Sequence, residues 1–193
     1  MSETQDPKKE AFQRKCSIII SLIASMLLVN NLGSQNAAGS ASFLNAAAIN
    51  TYAFYQAKNI RQNDMNLAAQ TLDGIANTSV PLANEAAKKA LREQAEVLRS
   101  KALSYESEPV SGEGKKELLA KAKEAEKARD QAMEKGPYFD FAGLLLQLSI
   151  ILISVVLITE RRTLYVSGML AAGVGTFLSL DGFFLFLRIP FLS

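Results

Sequence analysis

Two places in this sequence hold residues whose types and spacing could do chemistry. The first is Asp181, a lone acid within the apolar run from Leu164 to Leu187. A carboxylate inside a membrane span is costly, and by default it reads as a group that pairs a cation, gates ions or carries protons. A helix entering lipid at Leu164 rises roughly 26 Å by Asp181, at about 1.5 Å per residue, which would set the acid near the far interface. On that helix Asp181 points away from the small residues of the same run. The second place is the set Tyr52, Tyr55, Gln56, Lys58 and Arg61. A helix puts Tyr52, Tyr55, Gln56 and Asn59 on one face and Phe54, Lys58 and Arg61 on another. Paired cations can hold a carboxylate or phosphate. The alternative is that the aromatics pack on neighbouring helices whose acids take up the cations. A further line, Asn31, Gln35, Ala38, Ser42, Asn45, Tyr52 and Gln56, forms a polar stripe if one helix carries it all. Such a stripe suits amide layers between subunits or a water-filled path. Gly33 and Gly39 argue for a break in it.

The rest of the inventory excludes most catalysis. The chain has no histidine and one cysteine, Cys16. An intrachain disulfide is therefore impossible, structural zinc loses its usual ligands, and the commonest general base is missing. There is no Gly-rich phosphate loop and no Gly-x-Ser-x-Gly elbow. The expectation is a non-enzymatic chain without catalytic residues, cofactor or metal. A net charge of +2 gives no field that would hold nucleic acid.

The elements that must position these residues follow from where the apolar residues lie. They make up 49% of the 193 residues, gathered in three blocks with the charge between them. The blocks are Cys16–Leu32, Phe141–Thr159 and Leu164–Leu187, and a bilayer needs roughly 20 such residues in a helix. The first is short and follows Lys8, Lys9, Arg14 and Lys15, as a signal peptide's core would. No A-x-A site follows it, so it reads as an uncleaved anchor. The basic N-terminal segment 1–15 and the basic turn 160–163, with Arg161 and Arg162, fall on one side of three crossings. That side reads as cytoplasmic, with the segment 33–140 outside, in the periplasm, and the tail 188–193 also outside. Small or polar residues recur within the spans: Gly143, Gln147 and Ser154 in the second, and Gly168, Ala172, Gly175, Ser179 and Gly182 in the third. They predict close helix packing in lipid.

Between the first two spans the sequence predicts three helices. Ser42–Ala76 is alanine-rich and free of proline. Pro81–Glu106 and Lys115–Lys135 are amphipathic, separated by Glu108-Pro109-Val110-Ser111-Gly112-Glu113-Gly114 and closed by Gly136-Pro137. Their short linker predicts an antiparallel hairpin of the two, with Glu117 and Lys121 spaced as an ion pair. Its alanine faces bury little, so the hairpin is expected to need the Ser42–Ala76 helix or another subunit. The fold class is therefore an all-α membrane protein: three transmembrane helices with an inserted extramembrane helical hairpin.

The stretch Tyr52-Ala53-Phe54-Tyr55-Gln56-Ala57-Lys58-Asn59-Ile60-Arg61 resembles the signature of a bacterial membrane family known as domain of unknown function 4337. Its members show an aromatic, Ala, an aromatic, then Tyr-Gln-Ala-Lys and a basic residue. The resemblance implies an N-terminal anchor, a charged helical insert and two C-terminal spans joined by an arginine-rich turn, in a bacterial inner membrane. It implies no activity. The functional expectation is a scaffold or accessory subunit whose partners are the lipid bilayer and either further copies of itself or a larger membrane complex. The alternative is an oligomeric ion channel or small-solute transporter using the polar stripe (Asn31, Gln35, Asn45) and Asp181.

Overall fold

Between Pro7 and Pro81 no proline interrupts the chain, and alanine recurs throughout, a composition that permits one uninterrupted helix. The computed structural model describes residues 7–78 and 85–187. It contains α1 (Pro7–Asn77), α2 (Glu85–Ser104), α3 (Lys115–Met133), α4 (Gly136–Thr159) and α5 (Arg162–Phe184). No strand occurs among the described residues. The expected helix start at Pro81 and the tail 188–193 lie outside them. Helix α1 passes through Gly33 and Gly39 without a break. Three helical stretches, in α1, α4 and α5, are long and apolar enough to cross a membrane. The first apolar block is short alone, but α1 extends it at both ends. Contacts divide the chain into two units: the residues through Ser42 with those from Arg129 onward, and Phe43–Ala128.

The first unit is built of the start of α1 with α4 and α5. Helix α1 lies antiparallel to α4: Lys9 pairs with Glu160 at 2.6 Å near one end, and Asn30 Nδ2 donates to the Phe139 carbonyl at 2.9 Å near the other. The N-terminal cations and the Glu160-Arg161-Arg162 turn therefore share an end of this unit. Cys16, Ile23, Leu146, Ile153, Val156 and Ala172 form its core. Gly168, Ala172, Gly175, Ser179 and Gly182 are all buried, and the three glycines face α4. A Cβ on Gly175 would lie 3.1 Å from Leu145 and 3.2 Å from the Ala142 carbonyl oxygen, and one on Gly182 3.1 Å from the Phe139 ring. Lipid gives apolar helices no reason to associate beyond packing and hydrogen bonds, so close approach through small residues holds this pair. Gly33 does the same for α1, where a Cβ would lie 2.6 Å from Phe139 and 2.7 Å from Phe183.

The second unit departs from the expected arrangement. Along α1, Arg92 Nη2 reaches Asn77 Oδ1 at 3.0 Å, Arg99 pairs with Asp73, and Glu106 meets Gln62 at 3.5 Å. Beyond the loop, Lys115 Nζ donates to Gln62 Oε1 at 2.7 Å and Tyr52 Oη to Glu126 at 3.0 Å. Numbers fall along α1 while they rise along α2 and then α3. Both helices therefore run antiparallel to α1, one after the other, and they do not form a hairpin with each other. The linker misleads because it is an extruded bulge. The Lys115 amide donates to the Tyr105 carbonyl at 3.0 Å and the Lys116 amide to Glu106 at 3.1 Å, so helical bonding resumes across it. Glu117 and Lys121 do not pair. Glu117 accepts from Ser107 Oγ at 2.6 Å and the Glu108 amide at 3.1 Å, while Lys121 donates to the Gly112 carbonyl at 2.8 Å. Gly112 has φ +67°, which glycine adopts freely. Gly136-Pro137 does not close α3, which ends at Met133; it opens α4, with proline in the first turn.

Two outcomes follow. Gly175→Leu should wedge α4 from α5 and cost about 1–3 kcal/mol, seen as a lower unfolding temperature in detergent. Gly173→Leu, with nothing within 4 Å, should leave that temperature unchanged. Hydrogen bonds from Lys115 and Gln62 hold Glu106 below the usual carboxylate range, and those from Ser107 and the Glu108 amide do so for Glu117. A folded-state pKa below the unfolded one gives stability that is present above the ordinary glutamate pKa of about 4.3 and lost as pH falls through the folded value. Melting should therefore be flat between pH 7 and about pH 5 and decline below that range. Replacing both residues by glutamine should flatten the decline.

Candidate interaction surface on α1

One rule governs which residues of α1 are covered. From Cys16 to Ala76, positions 16, 20, 23, 27, 30 and 34 and those that continue the same steps of four and three are all buried or half-buried. This is the 3.5-residue repeat of left-handed helix packing. The members buried most deeply are small or compact: Cys16, Ile23, Asn30, Ala37, Ala48, Ala69 and Ala76.

That seam settles the geometry of the aromatic motif. Tyr55, Lys58 and Gln62 lie on it, with Tyr52 at its edge. Tyr52 bonds Glu126, and Lys115 Nζ sits 5.7 Å from the centre of the Tyr55 ring. Lys58 lies 3.4 Å from Glu108 and 3.8 Å from Glu113, with Tyr105 beneath it at 5.8 Å. Lys58 therefore shares a face with the tyrosines, contrary to the expected division with Arg61. Its charge is taken up by acids of the loop. Gln56 and Arg61 are exposed. The two cations are not brought together, so the pattern for gripping a carboxylate or phosphate does not form within the chain.

The polar stripe lies one residue, about 100° of helix, away from the seam. Asn31, Gln35, Ala38 and Ser42 are exposed and Asn45 is half-buried. The amide that is buried is Asn30, 1% exposed, whose Nδ2 bonds the Phe139 carbonyl while its Oδ1 finds no partner. Sequence reading missed it, although the steps Cys16, Ile23, Asn30 and Ala37 mark it. Ser17, Ser21 and Ser25 are exposed on the span, but each hydroxyl bonds a carbonyl one turn back at 2.9–3.0 Å. In α4, Gly143 is buried against Asn30 and Ser154 is half-buried, bonding the Ile150 carbonyl at 2.7 Å. Gln147 is exposed in the middle of the span.

Asp181 is 1% exposed. It sits where α5 ends. Its carbonyl accepts from the Leu185 amide, and its Oδ1 accepts from the Leu187 amide at 2.9 Å. Leu185 adopts φ 52°, a left-handed helix stop. The Leu187 carbonyl in turn accepts from Tyr138 Oη at 2.9 Å. The carboxylate thus ties the turned-back chain to the helix end. Of the residues expected to line a path, Asn31 and Gln35 are exposed on α1, Asn45 is half-buried and Asp181 is buried. Asp181→Asn keeps the Oδ1 acceptor and should leave thermal stability near wild type. Asp181→Leu removes it and should cost about 1–3 kcal/mol, measured by unfolding in detergent.

On the exposed side of α1 in the second unit, opposite the seam, stand Phe43 (74% exposed), Ile60 (59%) and Leu67 (64%), with Ile49, Phe54 and Ile75 also exposed. The neighbouring helices α2 and α3 carry charge at nearly every second position. This side of α1 carries only Arg61 and Asp64 between Phe43 and Leu72.

No curated protein and no solved structure matches the chain. A family model described as "Domain of unknown function (DUF4337)" matches residues 12–185, taking in α1 from its second turn, the aromatic motif, the extruded loop and both later spans. With nearly its whole length under that model, the chain belongs to the DUF4337 family.

Proposed function

We infer that this chain is a non-enzymatic membrane protein that acts by assembling, as a scaffold or accessory subunit, with its second unit as the assembling part. The observation that carries this reading is the row of exposed Phe43, Ile60 and Leu67 on α1. Large apolar residues left exposed along one side of a helix are candidates for contact with a partner. Gln147 supports it from within lipid. An exposed amide in mid-span is costly unless another helix answers it. The glycine seam of α5 cannot serve, because α4 already occupies it.

The reading includes a location. Lys9, Arg14 and Lys15 stand at the same end of the first unit as Arg161 and Arg162, and clustered basic residues favour the cytoplasmic side. The second unit then belongs to the periplasmic side of a bacterial inner membrane. The use of Asp181 as a helix-end tie weighs against the channel or transporter alternative.

Native mass spectrometry of the full chain in mild detergent tests the reading. The expected result is an oligomer or a complex with other subunits; a strictly monomeric species overturns it. Gln147→Leu should reduce the associated fraction while leaving the helix content of the monomer unchanged. Ion or solute flux through liposomes holding the purified protein, abolished by Asp181→Asn, would establish the channel reading instead.

A further inference from the structure

Between α4 and α5 the chain turns at Glu160-Arg161, and Arg162 opens α5. Two contacts brace this turn against the start of α1. Lys9 pairs with Glu160 at 2.6 Å, and the Phe12 and Tyr165 rings lie 5.8 Å apart. The brace commits the acid of the turn to Lys9. Arg161 and Arg162 are left exposed, without an ion pair among the described residues, as are Arg14 and Lys15 where α1 enters its apolar stretch. Glu10 is the other described acid near the start of α1. Cations therefore outnumber acids at this end, and the acid beside the arginines is already bonded.

Arg162 also heads a row. Steps of four and three along α5 lead from Arg162 to Val166, Met169, Gly173, Phe177 and Leu180, which share one side of the helix. All are exposed, and the surface at Gly173 is open, with nothing within 4 Å of a Cβ placed there. Arg162 to Gly173 spans about 16 Å of helix, close to half of the roughly 30 Å of hydrocarbon in a bilayer. Tyr165 stands one turn from Arg161, and its hydroxyl has no hydrogen-bond partner among the described residues.

We propose that this end of the unit binds an anionic phospholipid, with Arg161 and Arg162 on its phosphate and its acyl chains laid along Val166, Met169 and Gly173. A guanidinium donates to two phosphate oxygens at once, which makes arginine the residue suited to this group. The Tyr165 hydroxyl offers a further donor one turn away. A free phosphate ion would meet the same arginines but leave the apolar row unused. A zwitterionic headgroup brings an ammonium into a cluster of cations whose nearest acid is held by Lys9, so net negative charge decides the choice. The site lies within one chain and stands apart from the assembly reading.

The test titrates full-length protein in mild detergent with phosphatidylglycerol, phosphatidylcholine or inorganic phosphate, and native mass spectrometry reads the bound lipid. Phosphatidylglycerol should be retained in preference to phosphatidylcholine, and equimolar phosphate should not displace it. Arg161→Gln with Arg162→Gln should weaken its binding by about thirtyfold, about fivefold for each cation facing anionic lipid, with helix content unchanged by circular dichroism. Lys123→Gln with Lys127→Gln, exposed on α3, removes the same charge and should leave binding at the wild-type level. Should the arginine pair disturb folding, Arg162→Gln alone carries the test, with about fivefold expected. Equal retention of the two lipids overturns the proposal. So does a preference that the arginine variants leave intact, or that the lysine variant lowers equally. Displacement by phosphate assigns the arginines to a free anion and overturns the lipid as ligand.

Discussion

Helix α1 covers a residue every three or four positions, without a skip, from Cys16 to Ala76, and the rest of the structure depends on that rhythm. A straight helix would lose such a row by about 20° per heptad, so holding it requires partner helices that wind gently with it. The most deeply buried residues on the row are mostly small, among them Cys16, Ala37, Ala48, Ala69 and Ala76, and small residues bring helix axes together. In the first unit Gly33, beside the row, makes room for the rings of Phe139 and Phe183. In the second the row lets Ala48, Ala69 and Ala76 lie close to α2 and α3. Alanine buries little area, so polar contacts at the edges of the row fix the register. Tyr52 with Glu126, Lys58 with Glu108, and Arg99 with Asp73 serve this purpose.

The same economy explains the polar groups in the spans. Serines of α1 and α4 satisfy themselves on their own helix. Asn30 bonds a neighbouring backbone, and Asp181 holds the end of α5. Each answers the demand of lipid that polar groups find partners within the protein. Asn30 Oδ1, Ser179 Oγ and Asp181 Oδ2 are buried without a partner among the described residues, and Gln147 is exposed in mid-span.

Much of this was legible in the sequence. The three spans, the helical insert and the family follow from hydropathy, alanine content and one aromatic stretch. The glycines of α5 lie where their spacing places them. Pairing was not legible. Loop 107–114 has the glycine and proline of a hairpin turn, and nothing local reveals two backbone bonds that close the helix over it. The face of Lys58 was misjudged because a fixed 100° step does not show which side of α1 is covered. That side is marked by alanines, whose weak hydrophobic signal is drowned by neighbouring isoleucines and phenylalanines. Asp181 looked like a membrane acid with work to do because a helix-end tie leaves no trace in composition.

The extruded loop has a further meaning for the architecture. Lys115 follows Tyr105 by ten positions, while a helix makes the same bond over four, so the loop amounts to an insertion of about six residues. Remove that number, and Ala102, Tyr105, Lys115, Leu118 and Ala122 fall into steps of three and four. The returning chain of the second unit is thus a single rod with a side pocket of sequence threaded out of it. Its length can drift without changing the phase of the packing against α1, so long as Glu108 keeps its place beside Lys58. It is the one stretch of that rod where a bulky graft could be carried at no cost in phase.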